Sequence, residues 1–311
     1  VRKTQAITEG AILLALFLVL LLVSTYLPIV GPIFLLFLPL PFILFTIRHQ
    51  LSLVVLLIFA GCILSILFGP ITNLLVALTS GLSGLVIGIF YKKKQTMSAI
   101  IGGSLAFTVS LVITYIGSIF FLQIDIVKDS FTLLEQSMDQ SRSILSSFSE
   151  PEELDKQFEQ LDEGIEFLGM LIPTLFIVMG FLSTLAIHFV SLPILKRLRV
   201  DVKSLIPFRE WRLPQSLIWY YLITTILILM NIDRDSFVFL AAINLNVFLQ
   251  FLLLLQGFSF IFYFCYQKGY SKAIPIVVFF VSMLLPMVLY LIRILGIIDL
   301  GFPLRGKITK R

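Results

Sequence analysis

Few side chains in this sequence offer chemistry, and most of them stand inside long apolar runs. Asn73, Tyr115 and Glu166 fall toward the same end of their respective runs, whereas Asn244, Asn246 and Gln250 share one run, with Asn246 and Gln250 four residues apart on one helical face. A polar group in hydrocarbon must find a partner or line a cavity, because no water is present to satisfy it. Two readings follow. Asn244, Asn246 and Gln250 either hydrogen-bond neighbouring helices or line a path for a polar ligand or ion. Asn73, Tyr115 and Glu166 either pair locally or form a ligand-binding pocket for a small molecule.

The remaining patterns exclude more than they assign. There is no H-E-x-x-H, no G-x-x-x-x-G-K-[ST], no G-x-S-x-G and no G-x-G-x-x-G after a strand. Glu9, Asp201, Glu210, Asp233, Asp235 and Asp299 are scattered and form no paired set for acid–base work. His49 and His188 have no second His, Cys or carboxylate at ligand spacing, so both read as interfacial histidines. Cys62 and Cys265 lie far apart inside apolar runs, which excludes a disulfide framework or a metal pair. The expectation is a protein that is not an enzyme and holds no metal or cofactor.

Composition says what must position these groups. The 311 residues are 59% hydrophobic and only 13% charged, more apolar surface than a water-soluble domain of that length can bury. Lipid is therefore the expected solvent. In a soluble protein the formal net charge of +5 would point to nucleic acid. Here the basic residues form short clusters beside apolar runs, and anionic lipid headgroups are the expected partner instead.

A helix needs about 20 mostly apolar residues to cross the hydrocarbon. Segments near 7–27, 33–47, 51–68, 71–91, 97–122, 166–191, 214–231, 237–266 and 273–295 qualify, giving an all-α polytopic membrane protein of eight or nine transmembrane helices. The second is short, and Pro39 and Pro41 predict a kink or break in it. The first follows Arg2 and Lys3 without a small-x-small cleavage site, so it reads as a retained span and not a signal peptide. With the N-terminus cytoplasmic, alternation puts Arg48, Lys92 to Lys94, the Lys196 to Arg212 loop and Lys268 to Lys272 all inside, as the positive-inside rule requires. Nine crossings leave Arg305, Lys307, Lys310 and Arg311 outside, against that rule, so either one segment fails to cross or the tail is tolerated there.

Residues 1–195 read as a six-span bundle, 196–213 as a basic cytoplasmic loop and 214–311 as a C-terminal three-helix membrane unit with a basic tail. Within the first bundle, 123–165 is an acidic extracytoplasmic insert. Leu154, Phe158, Leu161 and Ile165 recur there at helical spacing opposite Glu152, Glu153, Asp155, Glu159, Asp162 and Glu163, which predicts an amphipathic helix. Ile144, Leu145 and Phe148 predict a partner helix before Pro151. Trp211 and Trp219, with Tyr220 and Tyr221, read as interface anchors. Ala11 and Ala15, and more strongly Gly81, Gly84 and Gly88, put small side chains on one face where another helix can approach.

Pro39-Leu-Pro41 with Thr46-Ile-Arg48, and Gly296-Ile-Ile-Asp299-Leu-Gly-Phe302-Pro-Leu-Arg305 near the end, resemble YybS-like bacterial membrane proteins over essentially the whole chain. That family carries no settled biochemical activity. In the terminal pattern Asp299, Phe302 and Arg305 mark an interfacial turn, with Asp299 and Arg305 pairing with each other or with headgroups. The first six spans also resemble the S components of energy-coupling factor transporters, which capture vitamins or metal ions. Ala11 and Ala15 match the small-x-x-x-small motif with which those proteins dock on a membrane partner. The acidic insert and three further spans depart from that pattern. Two functions are expected in consequence. One is a transport-related bundle in the bacterial cytoplasmic membrane that binds a small solute and docks on a partner; the other is a non-transporting scaffold or regulator of an envelope or signalling enzyme.

Overall fold

A computed structural model describes residues 2–146, 151–230, 232–234, 236–302 and 304–307; of these, the side chains of 2–3, 151–155 and 307 are not described. Among the described residues the chain is helical with no strand. Seven helices there are long and apolar enough to cross a membrane: Thr4–Tyr26, Gly31–Arg48, Leu51–Phe68, Thr72–Lys92, Thr96–Leu122, Ile172–Arg197 and Phe237–Gln267. The chain forms two compact units, Val1–Phe167 with Leu175–Leu205, and Leu168–Thr174 with Ile206–Arg311.

The first unit is built from α1 (Arg2–Tyr26), α2 (Gly31–Leu35), α3 (Pro39–Arg48), α4 (Leu51–Phe68), α5 (Thr72–Lys92), α6 (Thr96–Leu122) and α7 (Ile126–Leu145), with most of α8 (Pro151–Met170) and α9 (Ile172–Arg197). The second apolar run is broken, as its prolines predict, but the break precedes them. Pro39 opens α3, where its missing N–H removes no helical hydrogen bond. The helix it starts is the best-buried element of the unit: Leu40 through Thr46 are all buried. Phe17 of α1 meets Phe42 of α3 edge-on at 5.0 Å. On α5, a Cβ at Gly84 would stand 2.8 Å from the Pro39 carbonyl oxygen, and one at Gly88 would stand 2.6 Å from the Thr46 Cβ. These glycines let α3 lie directly on α5.

The insert contains more helix than its apolar spacing predicts. Asp125 caps α7 by accepting a hydrogen bond from the Lys128 N–H at 3.0 Å. The helix that follows is rich in serine and charge, which is why only its last residues stand out in the sequence; Phe148 lies outside the described residues. Phe158 of α8 is buried and takes the Arg142 guanidinium of α7 over its ring at 5.6 Å, while Leu161 is exposed.

The second unit holds a 3-10 turn, Phe208–Glu210, then α10 (Ser216–Leu229), α11 (Phe237–Gln267), α12 (Ala273–Leu284), α13 (Pro286–Gly301) and the short α14 (Leu304–Lys307). The ninth apolar run, expected as one crossing over 273–295, is two helices separated by Leu285, which takes an extended conformation before Pro286. At about 1.5 Å per residue α12 is only about 18 Å long, short of the ~30 Å hydrocarbon core. Side-chain pairs advance together along α11 and α13, with Arg293 bonded to Gln250, Asp299 to Gln256 and Arg305 to Tyr263, so these two helices run in the same direction. Gly257 and Gly296 mark their contact: a Cβ on either would lie 2.0 or 2.1 Å from a carbonyl oxygen of the other helix. α12 and α13 therefore make a hairpin that leaves and returns at the Lys268 end of α11.

Candidate functional site: buried polar networks and an open helix face

Asp299 and Arg305 pair with each other, and their side chains are 0% and 7% exposed. Arg305 donates from Nε to Asp299 Oδ1 at 3.0 Å and from Nη2 to Oδ2 at 2.6 Å. Its Nη1 reaches the Arg209 carbonyl at 2.8 Å, Nη2 reaches Ser259 Oγ at 3.2 Å, and the guanidinium lies 5.1 Å from the Tyr263 ring centroid. Gln256 donates to Asp299 and accepts from the Leu213 N–H at 2.9 Å. Ser259 donates to the Phe208 or Trp211 carbonyl, each at 2.9 Å. Charge, counter-charge and hydrogen-bonding capacity are matched, so this cluster fastens the 206–213 segment and α13 to α11. Phe302, between the paired residues, is exposed.

A second network runs across the same unit. Asn246 donates to Thr224 Oγ1 at 3.0 Å and Thr225 Oγ1 at 2.9 Å, Gln250 donates to Asn246 Oδ1 at 2.6 Å, and Arg293 donates to Gln250 Oε1. The chain links α10, α11 and α13. Asn244 faces elsewhere, bonding the Met170 carbonyl at 2.8 Å and Thr174 Oγ1 at 2.8 Å. Arg293 is the residue that sequence reasoning missed. A lone cation inside the 273–295 apolar run was the available signal.

In the first unit Asn73, Tyr115 and Glu166 each have a separate environment. Asn73 is buried and accepts from Thr25 Oγ1 at 3.1 Å; its Nδ2 has no partner among the described residues. Tyr115 donates to Asp125 Oδ1 at 3.2 Å and packs edge-on to Phe176, and Glu166 is exposed. His188 is buried, with Nδ1 2.5 Å from the Tyr91 hydroxyl. Its Nε2, Thr184 Oγ1 and Ser191 Oγ, on one face of α9, lack partners among the described residues. His49, together with Arg48, meets Glu9, a carboxylate 40 residues earlier, at 2.9 Å from its Nε2. No cluster of three potential metal ligands occurs among the described residues.

Ala11 and Ala15 are both exposed on α1. Beside them an open recess of about 890 Å³ runs along the same helix, lined at one end by Thr4, Thr8, Glu9 and Arg48 and at the other by Ile12 and Leu16.

Long apolar helices with buried polar ties define a multi-pass membrane protein, and the comparisons agree. Residues 15–300 match the family described as predicted membrane protein, DUF2232. The chain is 34% identical over 307 residues, 99% of each chain, to the uncharacterized protein YybS of Bacillus subtilis (strain 168). This chain belongs to that family of membrane proteins. No solved structure matches it.

Proposed function

We propose that this protein is a non-enzymatic, non-transporting membrane scaffold that receives a helix of a membrane partner on the open face of α1. The observation that carries this reading is an open recess on α1 beside a packed apolar centre. The centre of the first unit is filled by Phe17, Leu21, Leu38, Phe42, Ile43 and Ile87, all under 2% exposed. The recess lies outside, along α1, where Ala11 and Ala15 permit close approach. Its polar end, with Glu9 and Arg48, suits the terminal turn of a helix, and its apolar end suits the membrane-buried turns. The transport-related reading uses the same docking face and adds a solute; the unpartnered, buried Asn73 Nδ2 is the observation that favours it.

The test is site-specific photocrosslinking from position 15 in native membranes. One discrete protein adduct that is lost on Ala11→Trp supports docking. Lipid adducts alone, unchanged by Ala11→Trp, contradict it.

A further inference from the structure

Two arginines stand on the C-terminal stretch of the second unit, and only one of them meets a counter-charge there. Arg305 is buried against the Asp299 carboxylate and two further oxygen acceptors. Arg293 is half-buried, and its contacts among the described residues are Gln250 Oε1 and the face of Tyr290, whose ring centroid lies 4.6 Å from the guanidinium carbon. No ion pair among the described residues includes it. A guanidinium carries five N–H donors, and one amide oxygen leaves most of them to be satisfied.

Depth decides what can satisfy them. Gln250 stands near the middle of α11, about 20 Å from its Phe237 end and about 26 Å from its Gln267 end at a rise of about 1.5 Å per residue. The charges that bracket this apolar run are Asp233 and Arg234 before it and Lys268 after it. Arg293, held to Gln250, is therefore placed midway along a membrane-long helix, farther from either end than its own side chain reaches, and lipid headgroups stand out of range. An uncompensated cation at that depth is costly, and it calls for an anion carried into the hydrocarbon on a helix that satisfies its own backbone. A second copy of this chain does not supply one: residues 10–122, 167–200 and 236–298 contain no Asp or Glu, and Asp299 is already paired with Arg305.

The guanidinium is braced from one side and borders an open face on the other. Gln250 bonds Asn246, and Asn246 bonds Thr224 and Thr225, so the amide that holds Arg293 is anchored on both α10 and α11. Tyr290, over which the guanidinium lies, belongs with Met287, Leu291 and Ile294 to a set spaced i, i+3, i+4 and i+7 on α13, and all four are exposed. That spacing makes one continuous helix face with a cation at its edge, a surface along which a second transmembrane helix can lie.

We propose that α13 packs against a transmembrane helix of a different protein, one that carries a single Asp or Glu near the bilayer midplane, and that this carboxylate pairs with Arg293. The two carboxylate oxygens match parallel N–H donors of the guanidinium, and the Met287–Ile294 face packs along the partner's apolar turns. The interaction uses the second unit alone and does not rest on docking at α1.

The full chain in phosphatidylcholine vesicles with a labelled Leu–Ala transmembrane peptide tests it by energy transfer. A peptide with one central Glu is expected to associate about tenfold or more tightly than the same peptide with Gln, a preference that Arg293→Gln removes and Arg293→Lys keeps in part. Moving the Glu two helical turns toward either end is expected to weaken association as much as replacing it. This position scan needs no variant of the protein, so it carries the test if Arg293→Gln does not fold. Equal association of the Glu and Gln peptides overturns the proposal, as does a Glu preference that is indifferent to position or survives Arg293→Gln. Adding phosphatidylglycerol to the vesicles is expected to leave the preference unchanged; its loss there would make a lipid the occupant and overturn the partner-helix assignment.

Discussion

Removing the Asp299 carboxylate strands the Arg305 guanidinium in a buried site without its counter-charge. A buried pair broken from one side costs about 3–5 kcal/mol, so Asp299→Asn is expected to lower the unfolding midpoint in detergent sharply. A surface pair contributes far less. Lys94, by hydrogen bond and charge, holds the exposed Asp201 carboxylate below its ordinary value of 3.8. The folded state therefore takes up that proton less readily than the unfolded chain. The small contribution of this pair is complete above 3.8 and fades as pH falls through the lower folded-state value. Lys94→Gln is expected to raise the Asp201 pKa toward 3.8, read from its carboxyl carbon shift; an unmoved titration would refute the pairing. Ser191 on α9 is buried with an unpaired hydroxyl. Ser191→Ala should change stability by less than about 1 kcal/mol, and a larger loss would reveal a partner.

Helices that face one another closely depend on side chains that are absent. Gly296→Val places methyl groups where the Leu253 carbonyl stands, so α13 must move away from α11. Overpacking of this kind costs about 1–3 kcal/mol, and the displaced hairpin should expose Gln256 and Asp299 to hydrogen exchange. Native-like exchange in Gly296→Val would argue against the contact. Several elements were legible in the sequence because their signals are local: the long apolar runs, the break near Pro39, and the glycine face of α5. The nature of the last segment was not. Its length and apolarity resemble a crossing, and only the pairing of Arg293, Asp299 and Arg305 with α11 shows that the chain turns back at Leu285. The Glu9–Arg48–His49 contact was likewise hidden, because its members are about 40 residues apart in sequence and meet only after α1 packs on α3. The candidate residues Asn246 and Gln250 were visible as a pair, but the cation they serve was not.

At the scale of the whole molecule, the first unit has a centre packed with apolar side chains and an open recess along α1, the features on which the proposed scaffold rests. A solute carrier needs an interior that exchanges side-chain contacts for a ligand; Asn73 and Tyr115 bond different partners, Thr25 and Asp125, and Glu166 is exposed. The most direct measurement is the thermal stability of the purified protein against a panel of vitamins, nucleobases and divalent metals. No member of the panel is expected to shift the midpoint, whereas a saturable upward shift that Asn73→Leu abolishes would place a solute inside the bundle and contradict the account.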